Sequence, residues 1–469
     1  MIRYPETITM VNNAKRFDAI VIGGGSCLNI ADEIYGLGKK VAIIEEGPLG
    51  GTCLNRGCIP SKMFIHVADV METIANAKKL GIKVGQAKAN YSRIAKRVNS
   101  LVDSDAWEIE KGIRAEKNFT LYKKRAKFIG KKIVQVGNET ITADKIFIGA
   151  GTRPLILPIP GIEDTPFLTS TEALRLKKIP KSMVILGGGY IAAELAHFFG
   201  SFGTRISIVE MTDRMLGAED EEISRAFTKA FSGKHKLLLG YKGIKVGKTK
   251  QGIFLRAKNV ANGKSKTLQA EKLLVAVGRV PNSDLLDVAK SGIATNNHGY
   301  IKVDGYMQTN VPGIWAIGDI AGIYLFKHSA NLEAQFAFHN AYHPGHEQKV
   351  DYTAMPHAVF SSPQVAGVGM TENDAKAKKI DYVAGRYEYR RTAMGAAMME
   401  AGGFVKVIAA KKTGMILGCH IIGPEASTLI HEVVVAMQNN GTVNAIRKAV
   451  HAHPALSEVV QRAFNNLPM

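Results

Sequence analysis

Two short apolar runs, rich in β-branched residues, stand out from the mixed polar and apolar background of the chain. Residues 17–22 (FDAIVI) and 182–186 (SMVIL) have the length and composition of strands that are buried on both faces of a parallel sheet. Each run leads into three glycines and then into apolar residues at helical spacing, and a second apolar run follows at residues 40–44 and 206–209. The pattern predicts two strand–turn–helix–strand units and an α/β fold.

The first glycine turn has the features of a dinucleotide-binding turn. Gly23 permits a tight turn, Gly25 lets a pyrophosphate approach the backbone, and the N-terminus of the following helix faces the phosphate charge. Glu45, about 22 residues after Gly23, is placed for ribose hydroxyls. Leu28 replaces the third glycine of the fingerprint, which predicts slightly wider packing of the helix on the strand.

The second turn repeats this arrangement with Gly187, Gly189 and Ala192, and Glu210 closes it. A carboxylate at this position accepts a hydrogen bond from a ribose 2′-hydroxyl and repels a 2′-phosphate, so Glu210 favours NAD over NADP. Arg205 and Arg214 lie nearby in sequence and act against this preference.

Two cysteines, Cys53 and Cys58, lie in the run GTCLNRGCIPSK (residues 51–62), just after the first predicted unit. A helical start there brings their sulfurs within reach of a disulfide bond. A staple across so short a loop stabilises little, so the pair is interpreted as a redox switch rather than as two unrelated buried cysteines or half of a metal site. Two dinucleotide turns and a redox pair together imply an electron relay from nicotinamide through flavin to disulfide.

Composition narrows the class of protein further. The chain has 469 residues, only four cysteines and a net charge of +20, with its lysines scattered rather than interleaved with aromatic residues. We therefore expect no specific nucleic-acid binding, no secreted disulfide scaffold and no metal site, although an acidic protein partner is compatible with the charge. No long apolar run indicates a signal peptide or a membrane span, so the expected location is the cytoplasm. Cys27 and Cys419 are expected to be small buried residues.

Four further segments extend the pattern: IGAGTRP (148–154), VGRVPN (277–282), WAIGD (315–319) and HAHPALSE (451–458). With the cysteine run, they make the chain similar to the FAD-containing pyridine nucleotide–disulfide oxidoreductases from about Phe17 to the C-terminus. The resemblance implies an NAD-binding domain inserted in a split FAD-binding domain, followed by an α+β dimerisation domain. The implied boundaries are 1–16 (an N-terminal extension), 17–154 and 274–348 (FAD), 155–273 (NAD) and 349–469 (dimerisation).

The resemblance also implies roles for individual residues. Cys53 is the interchange thiol that meets the substrate, and Cys58 is the flavin-side thiol. His453, with Glu458 behind it, transfers protons in the active site of the partner subunit of a homodimer, a role for which His451 also competes. Two further residues, Lys62 near flavin N5 and its partner Glu194, complete the catalytic set.

The cofactor contacts implied in the same way fall into two groups, with FAD and NAD as the cofactors. The FAD contacts are Gly23, Gly25, Glu45, Gly51, Thr52, Lys62, Gly151 and Asp319. The NAD contacts are Gly187, Gly189, Ala192, Glu210 and Gly278. Tyr190 is either a ring that covers the nicotinamide pocket or a packing aromatic.

The substrate remains open between members of the family. CIPSK and HAHPxLSE resemble dihydrolipoyl dehydrogenase, which oxidises dihydrolipoamide with NAD⁺, although Ala455 replaces a common threonine. This function implies a lipoyl-bearing protein of a 2-oxoacid dehydrogenase or glycine cleavage complex as the partner. Residues 190–197 and 325–328 resemble mycothione reductase, so NAD(P)H-dependent reduction of a small disulfide of the mycothione or glutathione type is the alternative. An NADH oxidase and a redox-silent binding protein are further alternatives, and they belong to functional classes different from these two enzymes.

Overall fold

The computed structural model describes residues 14–85 and 87–468, so residues 1–13 of the predicted N-terminal extension lie outside the described part. The chain forms two compact units, each discontinuous in sequence. The first unit contains the described residues up to Pro60 together with Lys96–Leu155 and Arg279–Asp351, and the second contains Ser61–Ala95, Ile156–Gly278 and the chain from Tyr352 onwards. No helix within the described ranges combines the length and apolar character that crossing a membrane requires.

The first unit is built on a sheet that starts with parallel strands. Lys15–Ile22 lies between Val41–Ile44 and Glu139–Ile148, and all three run parallel. Four more strands extend this sheet: Phe119–Tyr122 pairs with Val41–Ile44, Ile314–Ala316 and Ile133–Val136 each pair with Glu139–Ile148, and Ala126–Gly130 pairs with Ile133–Val136. Thr152–Pro154 and Arg279–Pro281 form a separate antiparallel pair. The helices of this unit are Cys27–Gly36, Gly51–Arg56, Tyr91–Ala115 in its later part, and Lys327–Tyr342.

Both faces of the first strand are buried, which explains its continuous apolar run. Ala19 and Val21 pack with Ile30 of the following helix, whereas Ile20 and Ile22 pack into a second cluster on the opposite face. All four strand residues are at most 3% exposed. A strand with one exposed face alternates polar and apolar residues, whereas a strand buried on both faces has a nearly continuous apolar run.

The second unit repeats the parallel arrangement and adds two antiparallel sheets. Its parallel sheet has the order Lys236–Leu239, Arg205–Glu210, Ser182–Leu186, Lys272–Val275 and Phe167–Leu168. One antiparallel sheet has the strand order Tyr241–Thr249, Gly252–Asn259 and Ser265–Ala270. The other has the order Pro356–Val359, Val365–Gly369, Ile416–Ile422, Phe404–Ala410 and Tyr382–Glu388. Its main helices are Cys58–Asn76, most of which lies here, Tyr190–Ser201, Glu221–Ser232, Glu372–Ala377, Ala393–Ala397, Ala426–Gln438, Val443–Arg447 and Glu458–Asn465.

One segment groups differently from the predicted domain division. Residues 61–95 were predicted to belong to the first part of the FAD domain, but Ser61–Ala95 clusters with the second unit. Aromatic packing accounts for this, because the ring of Phe64 lies 6.1 Å from that of Tyr91 and 4.8 Å from that of Phe198. Phe64 and Phe198 are both fully buried.

A buried lysine organises charges inside the second unit. Lys406, in the strand Phe404–Ala410, has a side chain only 3% exposed, and its Nζ lies 3.0 Å from Asp220, 2.8 Å from Glu222 and 2.7 Å from Glu372. The Lys406 hydrogen bond, the largest favourable contribution, lowers the pKa of Glu372 to about 2. Because that pKa is below the unfolded value, the stabilisation is present above about pH 4.5 and is lost as the pH falls towards 2.

We predict that Lys406→Met destabilises the protein by about 3–5 kcal/mol, because it leaves the buried Asp220 carboxylate without its cation. Thermal and denaturant unfolding of the flavin-loaded protein would measure the loss. Lys412→Met, which removes an exposed lysine, is the matched control and should change stability by less than about 0.5 kcal/mol. Equal unfolding midpoints for the two variants would contradict the structural role of Lys406.

Candidate functional site

The two cysteines of the predicted redox pair lie on either side of a break between helices. Cys53 is half-buried within the helix Gly51–Arg56, and Cys58 is exposed at the start of the helix Cys58–Asn76. The break is at Gly57, whose φ of −145° and ψ of −117° depart from helical values. A Cβ on Gly57 would lie 2.9 Å from the carbonyl oxygen of Thr52, so the break requires glycine. The expectation of one helical start carrying both cysteines is therefore corrected to two helices joined at a glycine.

A cavity of about 590 Å³ opens beside Cys53 within the first unit. Its walls are largely apolar and include Leu28, Leu54, Ile59, Ile109, Ile113 and Phe119. Three carboxylates, Asp32, Glu108 and Glu116, line it from exposed positions, and Lys327 is the basic residue in its described lining. The cavity therefore offers an apolar interior with a partly acidic edge next to a thiol.

The first glycine turn has the shape that the sequence predicted for a phosphate site. Gly23 has a φ of +112°, and a Cβ there would lie 2.3 Å from the carbonyl oxygen of Gly149, so only glycine fits. The Glu45 carboxylate accepts the N–H of Gly24 at 2.7 Å and that of Gly47 at 2.7 Å. A carboxylate has about four lone-pair sites, so these two bonds leave acceptor capacity for ribose hydroxyls.

The second turn repeats this geometry in the second unit. Gly187 has a φ of +108°, and a Cβ there would lie 2.2 Å from the carbonyl oxygen of Ala276. The Glu210 carboxylate accepts the N–H of Gly188 at 2.7 Å and that of Thr212 at 2.8 Å. Gly189 caps the helix that begins at Tyr190, and Ala192 is fully buried in that helix.

Asp319 belongs to a hydrogen-bonded group in the first unit that sequence reasoning found only in part. Thr152 Oγ1 donates to Asp319 Oδ2 at 2.7 Å, and Arg279 Nε donates to Thr152 Oγ1 at 2.6 Å. The backbone N–H of Gly318 donates to the fully buried Glu333 carboxylate. Thr152 and Arg279 lie in the segments IGAGTRP (148–154) and VGRVPN (277–282), whose resemblance to the family was the available signal for them.

Other predicted cofactor contacts occupy turns or helix starts. Gly151 has a φ of +63° and Gly278 a φ of +127°, and nothing lies within 4 Å of a Cβ built on either. Gly51 and Thr52 open the helix that carries Cys53. Open space beside a positive-φ glycine leaves backbone accessible to a ligand, so these residues fit cofactor contacts, and their assignment stays a prediction.

Lys62 and Glu194 meet within the second unit, as the resemblance implied. Lys62 Nζ lies 2.8 Å from both carboxylate oxygens of Glu194 and 4.6 Å from the ring centre of Phe360. The Phe360 N–H also donates to Glu194 at 3.1 Å. The side chain of Glu194 is 12% exposed and that of Lys62 is 34% exposed, so Lys62 keeps an accessible surface while its partner is fixed.

The two candidate histidines have different surroundings. His453 Nδ1 lies 3.0 Å from Glu458 Oε1, and its side chain is 72% exposed. The hydrogen bond from His453 lowers the pKa of Glu458, which also accepts the Ala455 N–H at 3.2 Å. The side chain of His451 is only 7% exposed, and its Nε2 lies 2.9 Å from Glu432 Oε2. With Nδ1 engaged and Nε2 directed away from Glu458, His453 has the arrangement of a proton-transfer group.

Tyr190 is restrained by contacts that the sequence did not indicate. Its hydroxyl donates to Glu219 Oε1 at 2.6 Å, and the other Glu219 oxygen lies 2.8 Å from His357 Nε2. The Tyr190 and His357 rings stack with an interplanar angle of 12°. Glu219 is fully buried, and burial is the largest single effect on its pKa, which it raises. The hydrogen bonds from His357 and Tyr190 and the attraction to His357 together outweigh burial, so the pKa of Glu219 is lowered.

The remaining cysteines have the environment of packing residues. Cys27 and Cys419 are both 0% exposed, and burial raises the pKa of Cys27 to about 12. Burial also raises the pKa of Cys419. Thiols that stay protonated are poor nucleophiles. Among the described residues, no group of three or more His, Cys, Asp or Glu side chains is arranged to hold a metal ion.

The first unit contains the predicted redox cysteines and one glycine turn, and the second unit contains the other glycine turn. This combination is typical of a nucleotide-dependent flavoprotein disulfide oxidoreductase. Family models agree, matching the pyridine nucleotide-disulphide oxidoreductase at residues 17–341 and its dimerisation domain at 355–464. The chain belongs to this family. The predicted resemblance, the α/β fold class and the binding of FAD and a pyridine nucleotide are thereby confirmed, and the dimerisation domain supports a homodimer.

Individual relatives divide between two activities. Mycothione reductase of Mycobacterium tuberculosis is 36% identical over 462 residues, covering 96% of this chain and 99% of that protein. Dihydrolipoyl dehydrogenase of Geobacillus stearothermophilus is 36% identical over 458 residues, covering 95% of each. Among solved structures, the HOCl-induced flavoprotein disulfide reductase RclA from Escherichia coli matches with a TM-score of 0.85 at 27% identity, covering 96% of this chain and 99% of that one. Identity alone therefore leaves the substrate undecided.

We predict that Cys53→Ser and Cys58→Ser each abolish disulfide exchange while FAD stays bound, because the chemistry needs both sulfurs and the glycine turn needs neither. Exchange activity should fall at least about 10³-fold, as for loss of a nucleophile. Flavin absorbance and NADH oxidation with an artificial electron acceptor would report the intact nucleotide sites. Loss of flavin from both variants would instead show that the cysteines are structural.

We predict that His453→Gln lowers kcat for disulfide exchange by about 10²–10⁴-fold, the range for removal of a general acid–base group. His451→Gln is the matched control, since this histidine is buried against Glu432. Its effect should fall on stability rather than on the pH dependence of kcat. The reverse pattern, with the pH profile lost only in His451→Gln, would transfer the proton-transfer role to that residue.

Proposed function

We propose that this protein is a dihydrolipoyl dehydrogenase that oxidises dihydrolipoamide with NAD⁺. The observation that carries the substrate assignment is the cavity beside Cys53, whose apolar walls and carboxylate-bearing edge suit an uncharged aliphatic arm. Glutathione disulfide is anionic and would meet the like charges of Asp32, Glu108 and Glu116 there. The cavity therefore favours a neutral dithiol over an anionic disulfide.

The coenzyme preference is supported by Glu210. Its carboxylate is fixed at the end of a strand by the backbone N–H groups of Gly188 and Thr212. A charge held there accepts a ribose 2′-hydroxyl and opposes a 2′-phosphate. Arg205 is exposed, and Arg214 lies 3.0 Å from Asp213, which partly neutralises it. This supports NAD rather than NADP.

The proposed reaction uses the cysteines in sequence. A substrate thiolate attacks Cys53, the Cys53–Cys58 bond breaks, and Cys58 leaves as a thiolate. The second substrate thiol then attacks the mixed disulfide, which releases oxidised lipoamide and leaves Cys53 as a thiol. His453 of the partner subunit takes up a proton in this exchange, and Glu458 orients its ring. FAD, when bound, would supply the two-electron chemistry that connects the cysteine dithiol to NAD⁺.

The FAD-binding turn and the nearby residues fit such a cofactor. Gly23, Gly25 and Glu45 would hold its phosphates and adenine ribose, and Asp319 its ribityl region. Lys62, paired with Glu194, would lie near flavin N5 as the family pattern implies. The natural partner would be a lipoyl-bearing protein of a 2-oxoacid dehydrogenase or glycine cleavage complex.

A second candidate is a reductase of a sugar-bearing disulfide of the mycothione type. The carboxylates at the cavity edge can accept hydrogen bonds from sugar hydroxyls, and the 36% identical mycobacterial relative carries that activity in its name. This alternative requires the reverse direction of electron flow, from reduced nicotinamide to disulfide.

Steady-state assays of one flavin-replete preparation would separate the candidates. Dihydrolipoamide is assayed with NAD⁺ and with NADP⁺. Lipoamide, mycothiol disulfide and glutathione disulfide are each assayed with NADH and with NADPH. We expect the highest kcat/KM with dihydrolipoamide and NAD⁺, at least about tenfold above any disulfide substrate, a difference of about 1.4 kcal/mol. Undetectable activity with that pair would reject the proposal, and a higher value with mycothiol disulfide would establish the alternative.

A further inference from the structure

Lys327 shares the cavity that contains Cys53 and has no role in the function described above. It is the first residue of the helix Lys327–Tyr342 and is half-buried. The N-terminus of a helix carries partial positive charge, which disfavours a lysine there. Burial of its stem disfavours the charged form as well. A cation in this position therefore needs a compensating negative group.

The ammonium is fixed by contacts with the first glycine turn. Lys327 Nζ donates to Ser26 Oγ at 2.8 Å, and Ser26 Oγ donates to Asn331 Oδ1 at 2.9 Å. Asn331 lies one turn further along the same helix, so the three side chains brace one another. Lys327 forms no ion pair with a carboxylate in the part of the chain that the structure describes. An ammonium has three donors, and Ser26 uses one.

Cys53 and Cys58 are the groups whose ionised forms would compensate the charge of Lys327. Burial is the largest effect on Lys327 and lowers its pKa, while attraction to Cys53 and Cys58 is the next largest and raises it. Cys27 acts weakly in the same direction, but burial keeps its own thiol protonated. Electrostatic interaction is mutual, so a lysine stabilised by thiolates stabilises those thiolates equally.

We propose that Lys327 is a positioning residue of the reaction, whose ammonium stabilises the thiolate of Cys53 from within the same subunit. The inference rests on the proposed function only in taking Cys53 as the substrate-side thiol. The other charged groups around the cavity, Asp32, Glu108 and Glu116, oppose ionisation of that thiol, and Glu108 is partly offset by Lys111 at 3.7 Å. The imidazole of the partner's His453 would add to Lys327 rather than replace it.

Alkylation of the reduced holoenzyme tests this without any disulfide substrate or nicotinamide. The FAD-loaded enzyme is reduced with one equivalent of dithionite under anaerobic conditions and reacted with iodoacetamide, a neutral probe, from pH 5 to 9. Peptide mapping identifies the alkylated cysteine. In Lys327→Met we expect the midpoint of the rate profile to rise by about one pH unit and the rate at pH 6 to fall about tenfold. Lys327→Arg keeps the charge and should stay within about twofold of the wild type.

Lys302→Met is the matched control, because it removes an exposed lysine of the same unit and should leave the profile unchanged. Coincident profiles for Lys327→Met and the wild type would overturn the inference, and so would equal slowing in Lys327→Met and Lys327→Arg, which would indicate a steric role. If Lys327→Met fails to retain flavin, Lys327→Gln decides by the same criterion. Alkylation at Cys58 alone would instead reject the assignment of Cys53 in the proposed function.

Discussion

The two nucleotide sites depend on one repeated interaction between a carboxylate and a glycine turn. Glu45 follows the parallel strand Val41–Ile44, Glu210 ends the parallel strand Arg205–Glu210, and each accepts the N–H of the middle glycine at 2.7 Å. The same contact explains why that middle residue is glycine. A Cβ on Gly24 would lie 2.8 Å from Glu45 Cγ, and one on Gly188 would lie 2.9 Å from Glu210 Cγ. The acid therefore shapes the turn before it meets any ligand.

In the first unit this turn also positions the redox helix. The Gly50 N–H donates to the carbonyl of Gly24 at 2.8 Å. A Cβ on Gly51 would lie 2.8 Å from the Cα of Gly25, so the start of the helix packs directly on the phosphate turn. Cys53 lies two residues further on. A change in the turn would thus displace the thiol, which links nucleotide binding to redox chemistry through backbone contacts alone.

The sequence was informative where one local pattern determines the structure. Strands buried on both faces appear as continuous apolar runs, and Ser182–Leu186 has the bounds that its run predicted. The glycine turns and their acids follow fixed spacing and were found for the same reason. The break at Gly57 was not found, because the spacing of two cysteines does not reveal whether the helix between them is continuous.

Long-range partners account for the residues that sequence reasoning missed. Lys406 lies in the strand Phe404–Ala410, and nothing near it in sequence indicates that Asp220 and Glu372 would neutralise it. The tether of Tyr190 to His357 through Glu219 also joins distant segments. Lys327 was noticed only as part of a resemblance, because its closeness to the cysteines depends on a helix that follows some 270 residues later in the chain.

The protein as a whole is basic, with a net charge of +20, whereas the edge of the cavity is acidic. The short range of electrostatic interactions in salt solution makes these two observations compatible. At physiological ionic strength, exposed charges act over about 8 Å, so scattered surface lysines contribute little inside the cavity. The groups that a substrate meets there are the three carboxylates at the edge and Lys327 beside the thiol. Under the proposed function, the basic surface would attract an acidic carrier domain, while the carboxylates at the cavity edge would favour an uncharged arm over an anionic one. This division of charge suits a dithiol delivered on a protein better than a free anionic disulfide, since the free anion would be attracted to the surface and disfavoured at the cavity edge.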